Sequence, residues 1–330
     1  NKGVELQLDA VLVDAKDFGL NFNFNISYNR GKIDKLNGSS FWQSSSWAGT
    51  AAAGIEDFLV EEGGRLGEVY GYKTDGFYTA DDFTFDAEKG TYALKAGVND
   101  CSSLIGGKVY PGSIKLKANE DGEYKKERLG NTVPTVSGGF GLNARWKGFD
   151  FTAFFNDSLG NKIVNATKLG SSFYSGSSKN WNINDHFTSA NRYSWIDPST
   201  GTNLLSSASI KANGEAWTIN RLNEVNTGSS IWNPAAATVM PLVDWAVEDG
   251  SFLRVNNITI GYTLPKLFVS KLNIQNIRIY VTGYNLHCFT KYSGTDPEVD
   301  CCTSTPMTPG IDYAAYPKSR SFVGGINVTF

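Results

Sequence analysis

Between Leu20 and Tyr28 the chain alternates apolar and polar residues without a break. Leu20, Phe22, Phe24, Ile26 and Tyr28 take one set of positions, and Asn21, Asn23, Asn25, Ser27 and Asn29 take the other. Successive side chains of a strand point to opposite faces, so this period of two builds a ribbon with one greasy face and one ladder of amides. Two architectures use such a ribbon. In a soluble sandwich the apolar face closes a core, whereas in a membrane barrel it meets lipid and the amides line a wet interior. Periodicity alone leaves both open.

The remainder of the chain repeats the pattern in hairpins whose connections are alternately short and long. Residues 4–13 are expected to pair with 18–29, 137–147 with 149–156 across Gly148, and 251–263 with 274–286, before a last strand over 319–330. Between them lie about 31–135, 158–250 and 288–318, far longer than ordinary loops. Seven strands placed this way put every short connection on one side and every long one on the other. Outer-membrane barrels have that asymmetry, and a sandwich has no reason to segregate its loops so strictly. Segments around 68–78 and 108–117 are candidates for one more pair, giving seven or nine strands. In the last strand Phe322, Gly324, Ile326, Val328 and Phe330 share a face, and the terminal aromatic Phe330 suits recognition by barrel-assembly machinery. Soluble proteins usually blunt such an edge with charge or Pro, and this one is not blunted.

Composition narrows the chemistry. Thirty Lys and Arg against 33 Asp and Glu leave no basic excess for a phosphate backbone, so nucleic acid is not expected as a partner. No run of about 18 apolar residues marks a transmembrane helix, yet barrel strands need only about 9 to 11 alternating residues, which a low mean hydropathy conceals. With two histidines and no HExxH, GxSxG or phosphate-loop pattern, no catalytic residue, metal site or cofactor is expected. A glycosidase pair could in principle be drawn from the cluster of Asp296, Glu298 and Asp300, but a structural or solvated role fits them better. Among Cys101, Cys288, Cys301 and Cys302 there is no CxxC. Adjacent cysteines bridge poorly, which makes Cys288 with Cys301 or Cys302 the candidate disulfide. Five of eight tryptophans fall in 158–250. Of these Trp181, Trp195, Trp217 and Trp232 are candidates for contacting a sugar or protein partner, although large loops also need aromatic cores of their own. Trp146 differs, lying on an apolar strand face beside a short turn, where an interfacial girdle belongs.

Several stretches resemble one family, the SusC/RagA-type TonB-dependent outer-membrane transporters, and in particular the C-terminal part of their barrel. Asn1-Lys-Gly-Val-Glu-Leu, Tyr70-Gly-Tyr-Lys-Thr-Asp-Gly-Phe-Tyr and Tyr110-Pro-Gly-Ser-Ile-Lys are similar to family segments. So are Val247-Glu-Asp-Gly-Ser-Phe-Leu-Arg-Val with its continuation to Pro265, Ile279-Tyr-Val-Thr-Gly-Tyr-Asn-Leu, and Thr290-Lys-Tyr-Ser-Gly-Thr-Asp-Pro-Glu-Val. Their order and spacing carry more weight than any one of them. One departure is the segment 119–127, which lacks the regular acidic ligands of a calcium loop and reads as a solvated turn.

The resemblance implies an all-β chain forming the C-terminal part of a large antiparallel barrel of the 22-stranded type. Its long loops would be extracellular, and its plug domain and earlier strands would lie outside these 330 residues. It further implies TonB-dependent import of a nutrient oligomer, glycan favoured and peptide possible, across the outer membrane of a Gram-negative bacterium. A SusD-like surface lipoprotein, TonB acting through the missing part, the remainder of the barrel and outer-membrane lipid would be the partners. Asn21, Asn23 and Asn25 would face the lumen. The alternative from another class is a secreted β-sandwich lectin or adhesin module.

Overall fold

The alternating ribbons form strands because β-branched and aromatic side chains pack well on a pleated surface, and each ribbon finds its neighbour in the next one along the chain. The structure, a computed structural model, describes residues 1–45, 56–174, 182–269, 274–301 and 306–330. Its main sheet has seven strands: β1 (Lys2–Asp14), β2 (Phe18–Arg30), β3 (Val136–Trp146), β4 (Phe149–Leu159), β5 (Phe252–Thr263), β6 (Asn276–Thr290) and β7 (Ser321–Thr329). They lie side by side in chain order, every pair antiparallel, and the sheet is open with β1 and β7 as its edges.

Register fixes which residues share a face. Leu8, Phe24, Phe140 and Phe155 stand in one row, and Ala10, Phe22, Leu142 and Ala153 in the next. Nearer the short connections, Phe18, Trp146, Phe149, Tyr262, Ile279 and Ile326 stand opposite one another across six strands. In that row the Trp146 and Phe149 rings stack at 6.3 Å and Phe149 meets Tyr262 at 4.5 Å. Trp146 therefore stands in an aromatic band on the apolar face. Among the described residues no second sheet covers this face. Leu6, Ile260 and Ile326 are 57%, 56% and 66% exposed, so the arrangement is not a sandwich.

Hydrophobic burial is instead concentrated in the long connections. Phe58, Val69, Tyr78, Phe83, Ile114, Leu169, Leu204, Leu222, Met240 and Ile311, drawn from all three, belong to one buried cluster. Short sheets organise it: a four-stranded one with Glu68–Gly71 and Glu127–Asn131, and a three-stranded one with Lys162–Asn165, Val247–Asp249 and Ile311–Asp312. A helix, Ser207–Val225, begins where the Ser206 hydroxyl accepts from the Ser209 N–H, and it buries Ile210, Thr218 and Leu222. Main-chain bonds join the connections, as when Tyr72 N–H donates to the Leu242 carbonyl at 2.8 Å.

The extra pair expected around 68–78 and 108–117 is a correction. Thr74–Phe77 and Ile114–Leu116 do pair, but as a separate two-stranded sheet within this loop body, so the main sheet has seven strands and not nine. Both ribbons are four residues or fewer and bury Ile114 and Leu116 in the loop core, which leaves them too short to extend the main sheet. The 119–127 segment is a turn in which the Asn119 side-chain oxygen accepts from the Asp121 and Glu123 N–H groups.

Candidate functional site

The face opposite the apolar one is mainly polar, interrupted by Val11, Phe154, Phe252, Tyr280, Tyr284 and Val323. In β1 and β2 it carries Glu5, Gln7 and Asp9 beside Ser27, Asn25 and Asn23, and Asn21 stands opposite Asn143 of β3. Asn21, Asn23 and Asn25 thus occupy this face together, as their spacing requires. Toward the short connections Arg278 of β6 reaches across β5 to Asp150 of β4, with Nε and Nη2 at 2.9 and 2.5 Å from its two oxygens. The crossing is sterically open because position 261 is glycine, where a Cβ would stand 2.5 Å from Asp150 and 2.6 Å from Arg278. The Thr259 and Thr282 hydroxyls share a 2.8 Å hydrogen bond on the same surface. Such a wall offers amides, hydroxyls, the paired charges of Arg278 and Asp150, and the carboxylates of Glu5 and Asp9, which accept from Ser27 and Gln7, a surface suited to water and to polar solutes.

Where this wall meets the loop body, Arg254 of β5 is 4% exposed and holds the 291–318 segment down. Its Nη2 lies 2.5 Å from Asp296, its Nε bonds Glu298, and Lys318 Nζ lies 2.9 Å from Glu298. Asp296 and Glu298 are therefore structural anchors, each spent on a cation. A second buried cluster ties the three-stranded sheet together. Lys168 Nζ lies 3.1 Å from Glu248 and 4.1 Å above the Trp245 ring, while Ser293 donates to Glu248 through both N–H and hydroxyl at 2.8 Å. Burial alone would raise the Glu248 carboxyl, but the hydrogen bonds from Ser293 and the charge of Lys168 prevail and hold it below its usual value. Beside it, burial pushes the Asp312 carboxyl up despite a 2.6 Å bond from the Tyr292 hydroxyl.

The structure divides the tryptophans expected to contact a ligand or partner. Trp217, on the long helix, is 42% exposed. Trp195 is half-buried, packs against the loop core, and donates its indole N–H to the Pro111 carbonyl at 2.6 Å. Trp232 is a correction: it is 4% exposed, donates to the Ser172 carbonyl at 3.1 Å, and meets Trp245 edge-on at 5.0 Å. It serves the loop core, because so large a connection must bury aromatics of its own. Trp181 lies outside the described residues.

The candidate disulfide is also corrected. Cys288 is a free thiol, so the Cys288–Cys301 alternative is not formed, and Cys302 lies outside the described residues. Cys288 stands opposite Arg254 in the wall, whereas Cys301 packs on the loop core with its N–H bonded to the Ile311 carbonyl. Phe330 follows β7 and is 79% exposed. No group of three or more metal-binding side chains occurs among the described residues. Sequence reasoning passed over Arg254, which sits on the polar face of a strand and whose carboxylate partners lie more than forty residues away. It also passed over the Ser207–Val225 helix, whose signal was the Ser206 cap followed by Thr218, Leu222 and Val225 at helical spacing.

None of the protein-family models matches the chain. Curated relatives do, along its whole length. A TonB-dependent receptor of Formosa agariphila is 29% identical over 336 residues, covering all of this chain and 28% of the relative. The TonB-dependent receptor SusC of Bacteroides thetaiotaomicron is 23% identical over 341 residues, covering all of this chain and 26% of the relative. The chain thus spans under a third of the length of the relatives it matches. Among solved structures, the RagAB peptide transporter superposes on 99% of this chain and 29% of its own, with 22% identity and a TM-score of 0.57. The RagAB peptide importer in its closed-closed state gives 0.56 at the same identity. An open meander with one greasy and one polar face is thus similar along its whole length to TonB-dependent receptors, SusC among them, and shares its fold with part of the RagAB transporter.

Proposed function

We propose that the chain contributes seven strands to a closed barrel of the 22-stranded type in the outer membrane of a Gram-negative bacterium. Through this barrel an oligomeric nutrient is imported at the expense of TonB-coupled energy. The observation that carries this reading is the sheet itself, whose apolar face is uncovered, whose opposite face is polar, and whose long connections all emerge at one end. On this reading Asn21, Asn23 and Asn25 line the lumen, and residues 31–135, 158–250 and 288–318 stand outside the cell. The plug on which TonB pulls belongs to the rest of the receptor. A SusD-like lipoprotein sits over the loop body, with Trp217 among the exposed aromatics available to it. The favoured cargo is a glycan, in keeping with a wall rich in amides and hydroxyls. A peptide, the cargo named for the RagAB structures, is the competitor.

Uptake of labelled oligosaccharides and of labelled peptides by cells carrying the full-length receptor tests this. Uptake that disappears on removal of TonB or of the neighbouring lipoprotein is expected, with glycans the accepted class. Accumulation that persists without TonB would contradict the mechanism, and TonB-dependent uptake of peptides alone would reassign the cargo.

A further inference from the structure

On the outer side of the three-stranded sheet, the segments 165–168, 184–186, 293–295 and 312–317 enclose a cleft of about 410 Å³. That is within the range of small-ligand sites. Its most conspicuous member is Tyr316, whose side chain stands in solvent with 89% of the residue exposed, a large ring that contributes nothing to the loop core. The ring is nevertheless held in place through its backbone. Pro317 restricts Tyr316 to extended conformations. Upstream, Asp312 is buried in the three-stranded sheet under the Tyr292 hydroxyl, and Ala314 is kept at φ +53° with its N–H bonded to Thr167 Oγ1 at 2.7 Å. Downstream, the Lys318 N–H donates to Asp296, itself paired with Arg254. A left-handed alanine persists only where its surroundings over-determine it, and such positions gather at ligand clamps. The platform is thus presented with its ordering cost already met by the fold.

Thr295, Asn184 and His186 line the same cleft, the last two joined by 2.9 and 2.5 Å contacts from the His186 N–H and Nδ1 to the Asn184 side-chain oxygen, which fixes the imidazole in place. Among the described residues Lys168 is the only lysine or arginine lining the cleft, and its charge is taken by Glu248 and the Trp245 ring. Asp185, by contrast, is 97% exposed at its side chain, 3.3 Å from the His186 imidazole. Among these residues an anionic ligand would meet the Asp185 carboxylate and no unpaired lysine or arginine. We propose that the cleft is a subsite for an uncharged sugar ring of an oligosaccharide, stacked on Tyr316 and hydrogen-bonded by Asn184, His186 and Thr295. The proposal rests on the import reading above and deepens it, by naming neutral glycans over sulfated or uronic ones.

The test uses the purified full-length receptor on an array of neutral, uronic-acid and sulfated oligosaccharides and of short peptides. Calorimetric titration of the best neutral ligand into wild type, Tyr316→Ala and Tyr316→Trp follows. Because the ring is exposed, its truncation leaves the fold intact. Binding of neutral glycans is expected, weakened about tenfold or more by Tyr316→Ala and kept within a few-fold by Tyr316→Trp, since the flat apolar face supplies the contact. Equal affinity of wild type and Tyr316→Ala would overturn the cleft. If TonB-dependent uptake of the same glycan survived in that case, the import reading would stand without it. Binding of acidic glycans or peptides only, or of nothing on the array, would overturn the cleft proposal, and loss of TonB dependence would count against the import reading separately.

Discussion

Phe24 and Asn25 are neighbours in β2 with opposite surroundings: one stands in the apolar row with Leu8 and Phe140, the other faces Gln7 and Gly139 on the polar wall. A charge on the lipid face near the midplane costs about 2 to 4 kcal/mol, and a charge on the lumen face meets water. In the full-length protein Phe24→Arg should sharply reduce the folded, heat-modifiable band in outer-membrane fractions, whereas Asn25→Arg should leave it near wild type. Equal tolerance would remove the lipid assignment of this strand. Arg254 supports a second expectation. Removing the cation from a buried pair leaves Asp296 uncompensated, a loss of about 3 to 5 kcal/mol. Arg254→Ala should therefore free the 291–318 segment for tryptic cleavage at Lys291 or Lys318 while the barrel band is retained. An uncut segment would show that the clamp is dispensable.

At the scale of elements, Val247–Asp249 ties the loop body to β5 through Glu248. The folded carboxyl titrates below its unfolded value of about 4.3, so the native state binds fewer protons than the unfolded one between the two. Its contribution is present above that range and is lost as pH falls through the folded value. Trp245 fluorescence, reporting on the ring beneath Lys168, should change on acidification below about pH 4 and do so less in Glu248→Gln. An identical profile in the variant would dissociate Glu248 from the transition. The seven strands were legible in the sequence because each carries a period of two over most of its length, broken only by bulges such as those at Val11–Val13 and Val255–Asn257, and their order follows from short turns such as Lys147–Gly148. The loop body was not. Its ribbons of three to five residues are too short to show a period, and its helix is broken by Gly214 at φ +76°. The split among tryptophans was hidden for a related reason, since Trp232 and Trp217 differ only in what folds over them.

At the scale of the molecule, the sheet has two open edges. β1 offers 13 residues and β7 nine, each with one side paired and the other free. In lipid an unpaired N–H or C=O costs several kcal/mol, so such edges are satisfied only by further strands. The apolar face above them needs the same completion, because a sheet of seven strands encloses no interior for Asn21, Asn23 and Asn25 to line. On the proposed reading, β7 and β1 each pair with strands of the remainder of the receptor and the larger sheet closes. Expressing residues 1–330 in an outer membrane, alone and together with the N-terminal remainder of the receptor, measures this directly. A heat-modifiable, protease-resistant species is expected only on co-expression, and the same species formed by the 330 residues alone would contradict it.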